Sequence, residues 1–356
     1  MRIAITGATG NVGTALLRRL VSEPDIEVVG FARRVPGRDA GPPYEGVEWH
    51  AIDLGDPGRT DDLAGWFRGA DAVVHLAWQV QPSRNRGRLR RTNVTGTRTV
   101  VRALQRAGVP KLVYASSFGA YSPGPKDQRV DENWPVNGVA ASAYSVDKAA
   151  VEALLDGVER EAPELRVVRI RTGVVFQREA GAEISRYFLG RLLTPVSIFR
   201  SGRLPILPRN RRLRSQVVHA DDAAEAYLLA LRNDRVGAFN IAAEPVLDAT
   251  MLARELKGHT VPAPLPLLRL VAKAAWHFRL VPGDPGWLDL TAEVPLMDCG
   301  RANRELGWQA RRDARDAVRE GVAGIAAGAG SGSPPMRPRR GAARHGRGDR
   351  PRERAA

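Results

Sequence analysis

The stretch RIAITGATGNVGTALLRRL, at residues 2–20, decides the fold class. A short apolar run is followed directly by glycines at positions 7, 10 and 13 and then by a helix-like pattern. Glycine permits a tight turn and the close approach of backbone amides to a phosphate, and a helix N-terminus favours negative charge. The order of strand, glycine turn and helix therefore predicts a dinucleotide-binding loop at Gly7, Gly10 and Gly13, an ordinary strand-to-helix turn being the alternative.

Outward from this loop, short apolar runs alternate with amphipathic segments of helix length. The predicted strands lie near residues 2–6, 26–31, 47–51, 71–76, 111–115 and 165–171. The predicted helices between them lie near residues 11–21, 60–68, 85–107 and 142–160. This alternation is typical of an α/β fold with a Rossmann-like, doubly wound parallel sheet, expected here over residues 1–172.

The alternation breaks after residue 172, where proline-rich and arginine-rich stretches begin. We expect residues 173–325 to form a smaller C-terminal substrate-binding lobe, with a segment at 217–235 returning to the first domain. The segment 261–281 is apolar but carries charged residues, which favours a packed amphipathic helix. The composition of residues 326–356 predicts a disordered, arginine-rich tail, and deletion from residue 331 onwards is expected to leave folding and activity unchanged.

The composition restricts the class of protein. The 356 residues are 43% hydrophobic, which suits a sizeable core, and the single cysteine, Cys299, excludes an internal disulfide and a cysteine-based metal cluster. No metal site is predicted. The absence of a long apolar run or a leader-like start predicts a cytoplasmic protein that does not enter a membrane. The net charge is +15, but residues 331–356 contribute +6 from eight arginines against two acidic residues, so no specific nucleic-acid role is expected.

The end of the second predicted strand distinguishes between the two nicotinamide dinucleotides. An acidic residue there would bind a free ribose 2′-hydroxyl, but the chain has Arg33 and Arg34 instead. A guanidinium pairs well with a 2′-phosphate, so NADP(H) is favoured and NAD(H) stays the alternative. The alternative interpretation of both arginines is that they are solvent-exposed charges in a loop. Asp53, at the end of the third strand, is expected either to bind the adenine amino group or to cap the next turn.

A tyrosine and a lysine at helical spacing form the candidate catalytic pair. Tyr144 and Lys148 are four residues apart in a predicted helix and therefore share one face. A nearby ammonium favours the phenolate, which makes a phenol usable as an acid or a base. Ser116 and Ser117 end the fifth predicted strand, at the sheet edge where this fold binds ligands. A serine there can hydrogen-bond the reacting oxygen.

Together these features resemble the extended short-chain dehydrogenase/reductases, the NAD-dependent epimerase/dehydratase family. The resemblance covers residues 1–325 and extends to the segments VVHLA at 73–77, TNVTGT at 92–97, VHADDAA at 218–224 and FNIA at 239–242. It implies that Ser117, Tyr144 and Lys148 form the catalytic triad, with Ser116 as the fallback for Ser117. Tyr144 would be the acid/base and Lys148 would also hold the nicotinamide ribose. Asn93 would support Lys148 through a water molecule.

The resemblance also implies a cofactor site and a dimer. The predicted cofactor-binding residues are Gly7, Thr9, Gly10, Asn11, Val12, Gly13, Arg33, Arg34, Asp53, Leu54, Leu76, Ala77 and Lys148. A homodimer built from the helices near 85–107 and 142–160 is expected, acting on a small-molecule substrate.

Three functions remain open on the sequence. Dehydratases of this family carry Asp-Glu directly after the serine, where this chain has Phe118 and Gly119, so dehydration is disfavoured. Arg33 and Arg34 favour an NADP(H)-dependent oxidoreductase that transfers hydride between the nicotinamide and a carbonyl or alcohol. The alternatives are an NAD-dependent nucleotide-sugar epimerase and a non-catalytic dinucleotide-binding sensor. The presence of Tyr144 and Lys148 disfavours the sensor.

Two features bear on the substrate, and each has two interpretations. Clusters of arginines could clamp a substrate pyrophosphate or could be solvated helix and loop charges. They are Arg84, Arg86, Arg88, Arg90, Arg91, Arg209, Arg211, Arg212 and Arg214. Trp78 could form one wall of an apolar substrate pocket next to the nicotinamide, or it could be a core residue.

Overall fold

A parallel sheet forms the centre of the molecule. The computed structural model describes residues 1–81, 84–189 and 206–339. Its strands are β1 (Arg2–Thr6), β2 (Glu27–Ala32), β3 (Glu48–Ala51), β4 (Ala72–His75), β5 (Lys111–Ser117), β6 (Arg129–Val130), β7 (Arg166–Thr172), β8 (Val174–Phe176), β9 (Ile206–Arg209), β10 (Ser215–His219), β11 (Gly237–Ile241), β12 (Ala243–Leu247), β13 (His259–Pro262) and β14 (Leu296–Met297). Seven of them form one sheet in the order β11-β7-β5-β4-β1-β2-β3. Every neighbouring pair in that sheet is parallel.

Helices cover both faces of this sheet. The described helices are α1 (Asn11–Leu20), α2 (Thr60–Phe67), α3 (Arg86–Arg90), α4 (Gly96–Ala107), α5 (Ala143–Glu161), α6 (Gly181–Ile184), α7 (Ala220–Arg232), α8 (Ala249–Glu255), α9 (Leu265–His277), α10 (Gly286–Glu293) and α11 (Ala314–Ala327). Alternate residues of β1 enter different cores, because successive side chains of a strand point to opposite faces. Ile3 and Ile5 pack with Leu16 of α1, whereas Ala4 packs with Leu104 of α4. The α/β, Rossmann-like doubly wound fold predicted from the sequence is confirmed.

One predicted helix is divided in the structure. The segment expected at 85–107 consists of α3, a wide π-type turn at Arg91–Thr95, and α4. Such turns are frequent at functional sites. Here the turn contains Asn93, one of the predicted site residues.

The second half of the chain returns to the first. Helix α7, from the segment expected to return, packs beside α1, and Tyr227 of α7 is buried in the same core as Leu16. Strand β11, which the sequence pattern missed, then joins the main sheet next to β7. Strands β8, β10 and β12 form a separate three-stranded sheet. The cofactor half and the remaining lobe are therefore interwoven along the sequence.

The predicted amphipathic helix at 261–281 is α9, with an apolar face that is largely exposed. Leu267, Leu270 and Val271 are each more than half exposed. None of the helices in the described part of the chain is both long and apolar enough to cross a membrane.

The predicted disorder of the tail is wrong for residues 326–339. Helix α11 continues to Ala327, and the following residues fold back onto the first domain, where Ser333 and Met336 are completely buried. Low apolar content suggested that nothing could dock, but this segment docks through serine side chains, one buried methionine and its backbone. An added Cβ at Gly332 would overlap the Ala40 carbonyl oxygen, so the two backbones are in direct contact. Residues 340–356 lie outside the described residues.

Candidate active site

The glycine loop has backbone geometry that other residues cannot adopt. Gly7 has φ +72°, and a Cβ there would lie 2.6 Å from the Ala77 amide nitrogen. A Cβ at Gly13 would lie 2.5 Å from the Gly7 carbonyl oxygen. Helix α1 begins at Asn11, so the amides of its first turn lack partners within the helix. The loop therefore presents free N–H groups and a helix N-terminus, which suits a pyrophosphate.

A cleft beside this loop collects many of the predicted cofactor residues. The predicted residues that line it are Gly7, Thr9, Gly10, Arg33, Leu54, Leu76 and Ala77. The sequence analysis missed Phe31, Ala32, Ile52, Gln79, Thr92, Glu183, Tyr187 and Pro335, which line it too. Phe31 and Ile52 lie at or beside strand ends, which is a usable signal. Glu183, Tyr187 and Pro335 come from distant segments that no local pattern connects to the cleft.

Several predicted cofactor residues have other partners. The Asn11 side chain donates to the Val175 carbonyl at 3.0 Å and accepts from Gln177 Nε2 at 2.7 Å. Asp53 is exposed and accepts from the Gly55 amide at 3.0 Å, so its carboxylate caps the turn, while its binding of an adenine amino group stays a prediction. Val12 and Gly13 lie in the first turn of α1, and Val12 packs against the core.

Arg33 and Arg34 differ in their surroundings. Both side chains are exposed, and among the described residues neither forms a salt bridge. Arg33 lines the cleft together with Ala32, whereas Arg34 is not part of the lining. A free guanidinium at the cleft edge can accept an anionic ligand without losing an existing partner.

Tyr144 lies against the end of β5, where its ring and Ser117 Oγ are both next to Gly119. A Cβ at Gly119 would lie 2.8 Å from Tyr144 Cε1, so the close approach of the ring requires glycine at that position. Burial raises the pKa of Tyr144 to about 12, and the Ser117 hydroxyl offsets part of this rise. Tyr144 is therefore a neutral phenol at neutral pH.

Lys148 follows Tyr144 by one turn of α5 and is almost completely buried. Its Nζ donates to the Ala115 carbonyl at 2.6 Å and lies 3.6 Å from the centroid of the Trp78 ring. The same nitrogen lies 5.8 Å from the Tyr144 ring centroid. Burial lowers the pKa of Lys148 to about 7, although the Glu152 carboxylate raises it in part. The proximity to Tyr144 that helical spacing predicted is observed.

Glu152, the next residue on this helical face after Lys148, lies in a buried network of charged and polar groups. Its carboxylate accepts from Arg171 Nη2 at 2.9 Å, from Arg169 Nη1 at 3.0 Å and from Ser116 Oγ. These charge pairs lower the pKa of Glu152 to about 2 although burial opposes the shift. Ser116 is thus occupied in a buried network, and Ser117 is the serine that reaches Tyr144. The sequence analysis missed Glu152, for which position i+4 after Lys148 was the available signal.

Asn93 is buried and hydrogen-bonded to both backbone groups of one residue. Its Oδ1 accepts from the Gln79 amide at 2.7 Å, and its Nδ2 donates to the Gln79 carbonyl at 2.9 Å. The side chain therefore holds the chain segment after β4. Its predicted support of Lys148 through water stays a prediction.

Aromatic rings enclose the Tyr144 side chain. Trp287 packs on it at 4.6 Å between ring centroids, and Trp78 approaches edge-on at 5.9 Å. Phe188 extends this wall by packing on Trp287 at 5.2 Å. The remaining cavity beside Tyr144, Asn93 and Trp287 is about 20 Å³, which is room for about one water molecule. Trp78 lines both this cavity and the dinucleotide cleft.

The arginines expected near the substrate fall into two groups. Arg90 pairs with Asp147 at 3.1 Å, and Arg84 stacks on Trp276 at 4.0 Å, so both have partners in the fold. Arg209, Arg211, Arg212 and Arg214 line a separate cavity of about 620 Å³. No residue in the lining of that cavity also lines the Tyr144 cavity.

Comparison with known proteins identifies the family. The model of the NAD dependent epimerase/dehydratase family matches residues 3–242. The chain belongs to this family. Members of known structure share its fold: UDP-glucose 4-epimerase from Thermus thermophilus, solved with NAD, superposes with a TM-score of 0.66 at 23% identity, covering 91% of this chain and 99% of that one. A dTDP-glucose 4,6-dehydratase from Streptomyces venezuelae, solved with NAD bound, has a TM-score of 0.66 at 21% identity, with coverages of 91% and 96%.

This family member matches only part of each of two curated relatives. An uncharacterized protein of Mycobacterium tuberculosis is 28% identical over 323 residues, which is 90% of this chain but 29% of the relative. The chain thus spans less than a third of that protein's length. A putative dihydroflavonol 4-reductase of Synechocystis is 29% identical over 168 residues, covering 43% of this chain and 45% of the relative.

Proposed function

We propose that this family member is an NADP(H)-dependent oxidoreductase that transfers hydride between the nicotinamide and a small-molecule carbonyl or alcohol, with Tyr144 as the acid/base. The observation that carries the proposal is the arrangement of Tyr144 next to Ser117 at Gly119, with Lys148 Nζ 5.8 Å from the Tyr144 ring centroid. Trp78 lies between this arrangement and the cleft, which is lined by the glycine loop and by Arg33.

The residues of the cleft fit a dinucleotide in chemical type. The free amides at the start of α1 suit a pyrophosphate, and the apolar side chains of Phe31, Ile52 and Leu54 suit an adenine. The dinucleotide, when bound, supplies or accepts the hydride. Arg33 would bind the 2′-phosphate of NADP(H), because its guanidinium is exposed at the cleft and has no acidic partner among the described residues.

The protonation states favour reduction of a carbonyl. Tyr144 is a neutral phenol at pH 7, so it can donate its proton to a carbonyl oxygen as hydride arrives. Ser117 would hold that oxygen in place. The phenolate left behind would be stabilised by the charged form of Lys148, which makes up about half of the population near pH 7.

The walls of the site favour an apolar or aromatic carbonyl substrate. Trp78, Trp287 and Phe188 supply aromatic surface around Tyr144. The small cavity also means that part of this wall must move before a substrate of more than one or two atoms can enter.

Calorimetric dissociation constants for NADP⁺ and NAD⁺ test the cofactor part of the proposal, after any co-purified dinucleotide has been identified. A tenfold preference is about 1.4 kcal/mol and is readily resolved. An NADPH-consumption assay with aryl and alkyl ketones and aldehydes then tests the reaction. Tight or retained NAD⁺ with no reductase activity would contradict the proposal and favour an epimerase.

Replacing Arg33 with Ala is expected to weaken NADP⁺ binding by about 10- to 100-fold while leaving NAD⁺ binding nearly unchanged. The reason is that a charge-assisted hydrogen bond to phosphate contributes about 1.5–3 kcal/mol and the bare ribose hydroxyl has no such bond to lose. The measurement is calorimetry of both cofactors on both proteins.

Arg34→Ala is the matched control, since it removes the same charge from the adjacent position outside the cleft lining. It should change both affinities by less than threefold. Equal losses of NADP⁺ binding in the two variants would show that only general surface charge is involved.

The rate of carbonyl reduction should fall as pH rises through about 7. Lys148 has a pKa lowered to about 7, so it is charged below that pH and neutral above it. Without the ammonium, the phenolate that forms on Tyr144 loses its stabilising charge, and kcat/KM should decline above pH 7. Lys148→Arg keeps a permanent charge and should lack this decline at whatever residual rate it has. A wild-type profile that is flat from pH 6 to 9 would contradict the role assigned to Lys148.

A nucleotide-sugar epimerase is the second candidate, for which the arginine-lined cavity, although its lining is separate from that of the Tyr144 cavity, would bind the substrate pyrophosphate. Its lining holds Lys126 with four arginines, and burial together with Arg214 and Arg212 lowers the pKa of Lys126 to about 7. Such a cluster suits a pyrophosphate. Calorimetry with UDP, on the wild type and on Arg211→Ala, separates the two candidates because only the epimerase needs this site.

The homodimer expected from the family stays a prediction, to be checked by light scattering.

A further inference from the structure

Residues 328–339, which we name the strap, lie across the glycine loop. Ser333 is completely buried and its Oγ donates to the carbonyl oxygen of Thr9 at 2.7 Å. Thr9 belongs to the loop that presents its amides to the dinucleotide cleft. The strap is therefore attached to the phosphate-binding loop itself.

The strap also holds the first turn of α1 and the loop before β3. Met336 is completely buried, and its sulfur accepts from Thr14 Oγ1 at 3.3 Å. Thr14 shares a hydrogen bond of 2.9 Å with the Tyr44 hydroxyl, which in turn lies 2.7 Å from Ser331 Oγ. This chain of hydroxyl groups joins the strap to the two segments that flank the glycine loop.

A second set of contacts fastens the strap on its other side. Arg186, just after α6, donates to the carbonyl oxygens of Arg337, at 3.1 Å, and of Pro335. The Ala182 amide donates to the Ala329 carbonyl at 2.8 Å. The strap thus connects the glycine loop to the α6 segment, and residues of both line the cleft.

The strap narrows the cleft. Pro335 lines it together with Glu183 and Tyr187 of the α6 segment. The cavity is about 140 Å³, whereas ligand pockets commonly measure about 300–1,000 Å³. A dinucleotide therefore needs at least one wall of the cleft to move, and Pro335 of the strap belongs to that wall.

We propose that the strap is part of the dinucleotide site, as a cover that opens to admit the cofactor and then retains it. The proposal rests on the proposed dinucleotide-binding function. It adds that Ser333, Pro335 and Met336 limit the rate at which the cofactor leaves, while the hydride-transfer residues around Tyr144 act independently of them.

The test compares three forms of the chain. Stopped-flow fluorescence follows the release of bound NADPH or NADH while the oxidised cofactor is added as a chase. Deletion of residues 331–356 removes Ser331, Ser333 and Met336 and is expected to speed release by about tenfold or more. Deletion of residues 340–356 keeps the strap and should match the full chain within about twofold.

Gly332→Val keeps the test meaningful if the longer deletion does not fold. Its Cβ would overlap the Ala40 carbonyl oxygen, so the strap must shift while the rest of the chain is intact. It should speed release in the same direction. Hydrogen exchange gives a readout independent of turnover: saturating cofactor should slow exchange of amides in 328–339 in the full chain, including that of Met336, which is bonded to the Ser333 carbonyl.

The outcomes separate the strap from the function on which it rests. Equal release rates from the full chain and from both strap variants would overturn the strap proposal and leave dinucleotide binding standing. Binding only after deletion of residues 331–356 would overturn the proposal that the strap admits and retains the cofactor, since the strap would then only exclude it. Failure of every form to bind either dinucleotide would overturn the proposed function and the strap proposal with it.

Discussion

Tyr144→Phe should retain the affinity for the dinucleotide and lose turnover by about 10²- to 10⁴-fold, the range typical of a positioned general acid or base. The substitution removes only the hydroxyl and keeps the ring that packs between Trp78 and Trp287. Cofactor binding should be unaffected, because Tyr144 does not line the dinucleotide cleft. The measurement is kcat for carbonyl reduction together with the calorimetric cofactor affinity.

Tyr227→Phe is the control for loss of a buried tyrosine hydroxyl. Tyr227 lies on α7 in the same core as Leu16 of α1 and does not line the catalytic cavity. Its variant should keep wild-type turnover. If Tyr144→Phe does so too, the catalytic assignment is wrong and the non-catalytic sensor becomes the better description.

Glu152→Ala is expected to destabilise the protein by about 3–5 kcal/mol. The reason is that it leaves the guanidinium groups of Arg169 and Arg171 buried without their shared carboxylate, and a buried charge that loses its partner is strongly unfavourable. Arg171 depends on it most, because both its Nε and Nη2 donate to Glu152. For a chain of this size the loss corresponds to a fall in Tm of roughly 4–7 °C. Thermal unfolding at pH 7 measures it.

Glu159→Gln is the matched control, since Glu159 pairs with the same Arg169 but is one-third exposed. A pair of this kind contributes about 0–1 kcal/mol, so the expected change in Tm is small. A similar fall in both variants would contradict the special role of the buried carboxylate.

The pH dependence of the Glu152 effect follows from its pKa. The folded-state value is about 2, below the ordinary 4.5, so the charged form stabilises the folded state. That stabilisation is complete above about pH 4.5 and is lost as the pH falls from 4.5 towards 2. The difference in Tm between the wild type and Glu152→Ala should therefore shrink at pH 3.

The sequence by itself determined the features that depend on local spacing. Gly7 and Gly13 could be identified because the turn of this loop excludes a Cβ. At Gly13 the atoms that exclude it belong to residues only a few positions away. Tyr144 and Lys148 could be paired because helical periodicity places residues four apart on one face. The alternation of strands and helices was sufficient to predict the parallel sheet of the first half, since crossover connections restrict how parallel strands assemble.

The tertiary structure decided the features that depend on distant partners. Ser116 and Ser117 are adjacent in sequence, and only the position of Glu152 shows that Ser116 is occupied while Ser117 reaches Tyr144. The turn that Asp53 caps could be seen only in the structure. The strap had the composition of a disordered tail, yet it is ordered because the glycine loop, Tyr44 and Arg186 offer it hydrogen bonds from segments 149 to 324 residues away. Burial and pairing of this kind arise from three-dimensional proximity, which no local pattern encodes.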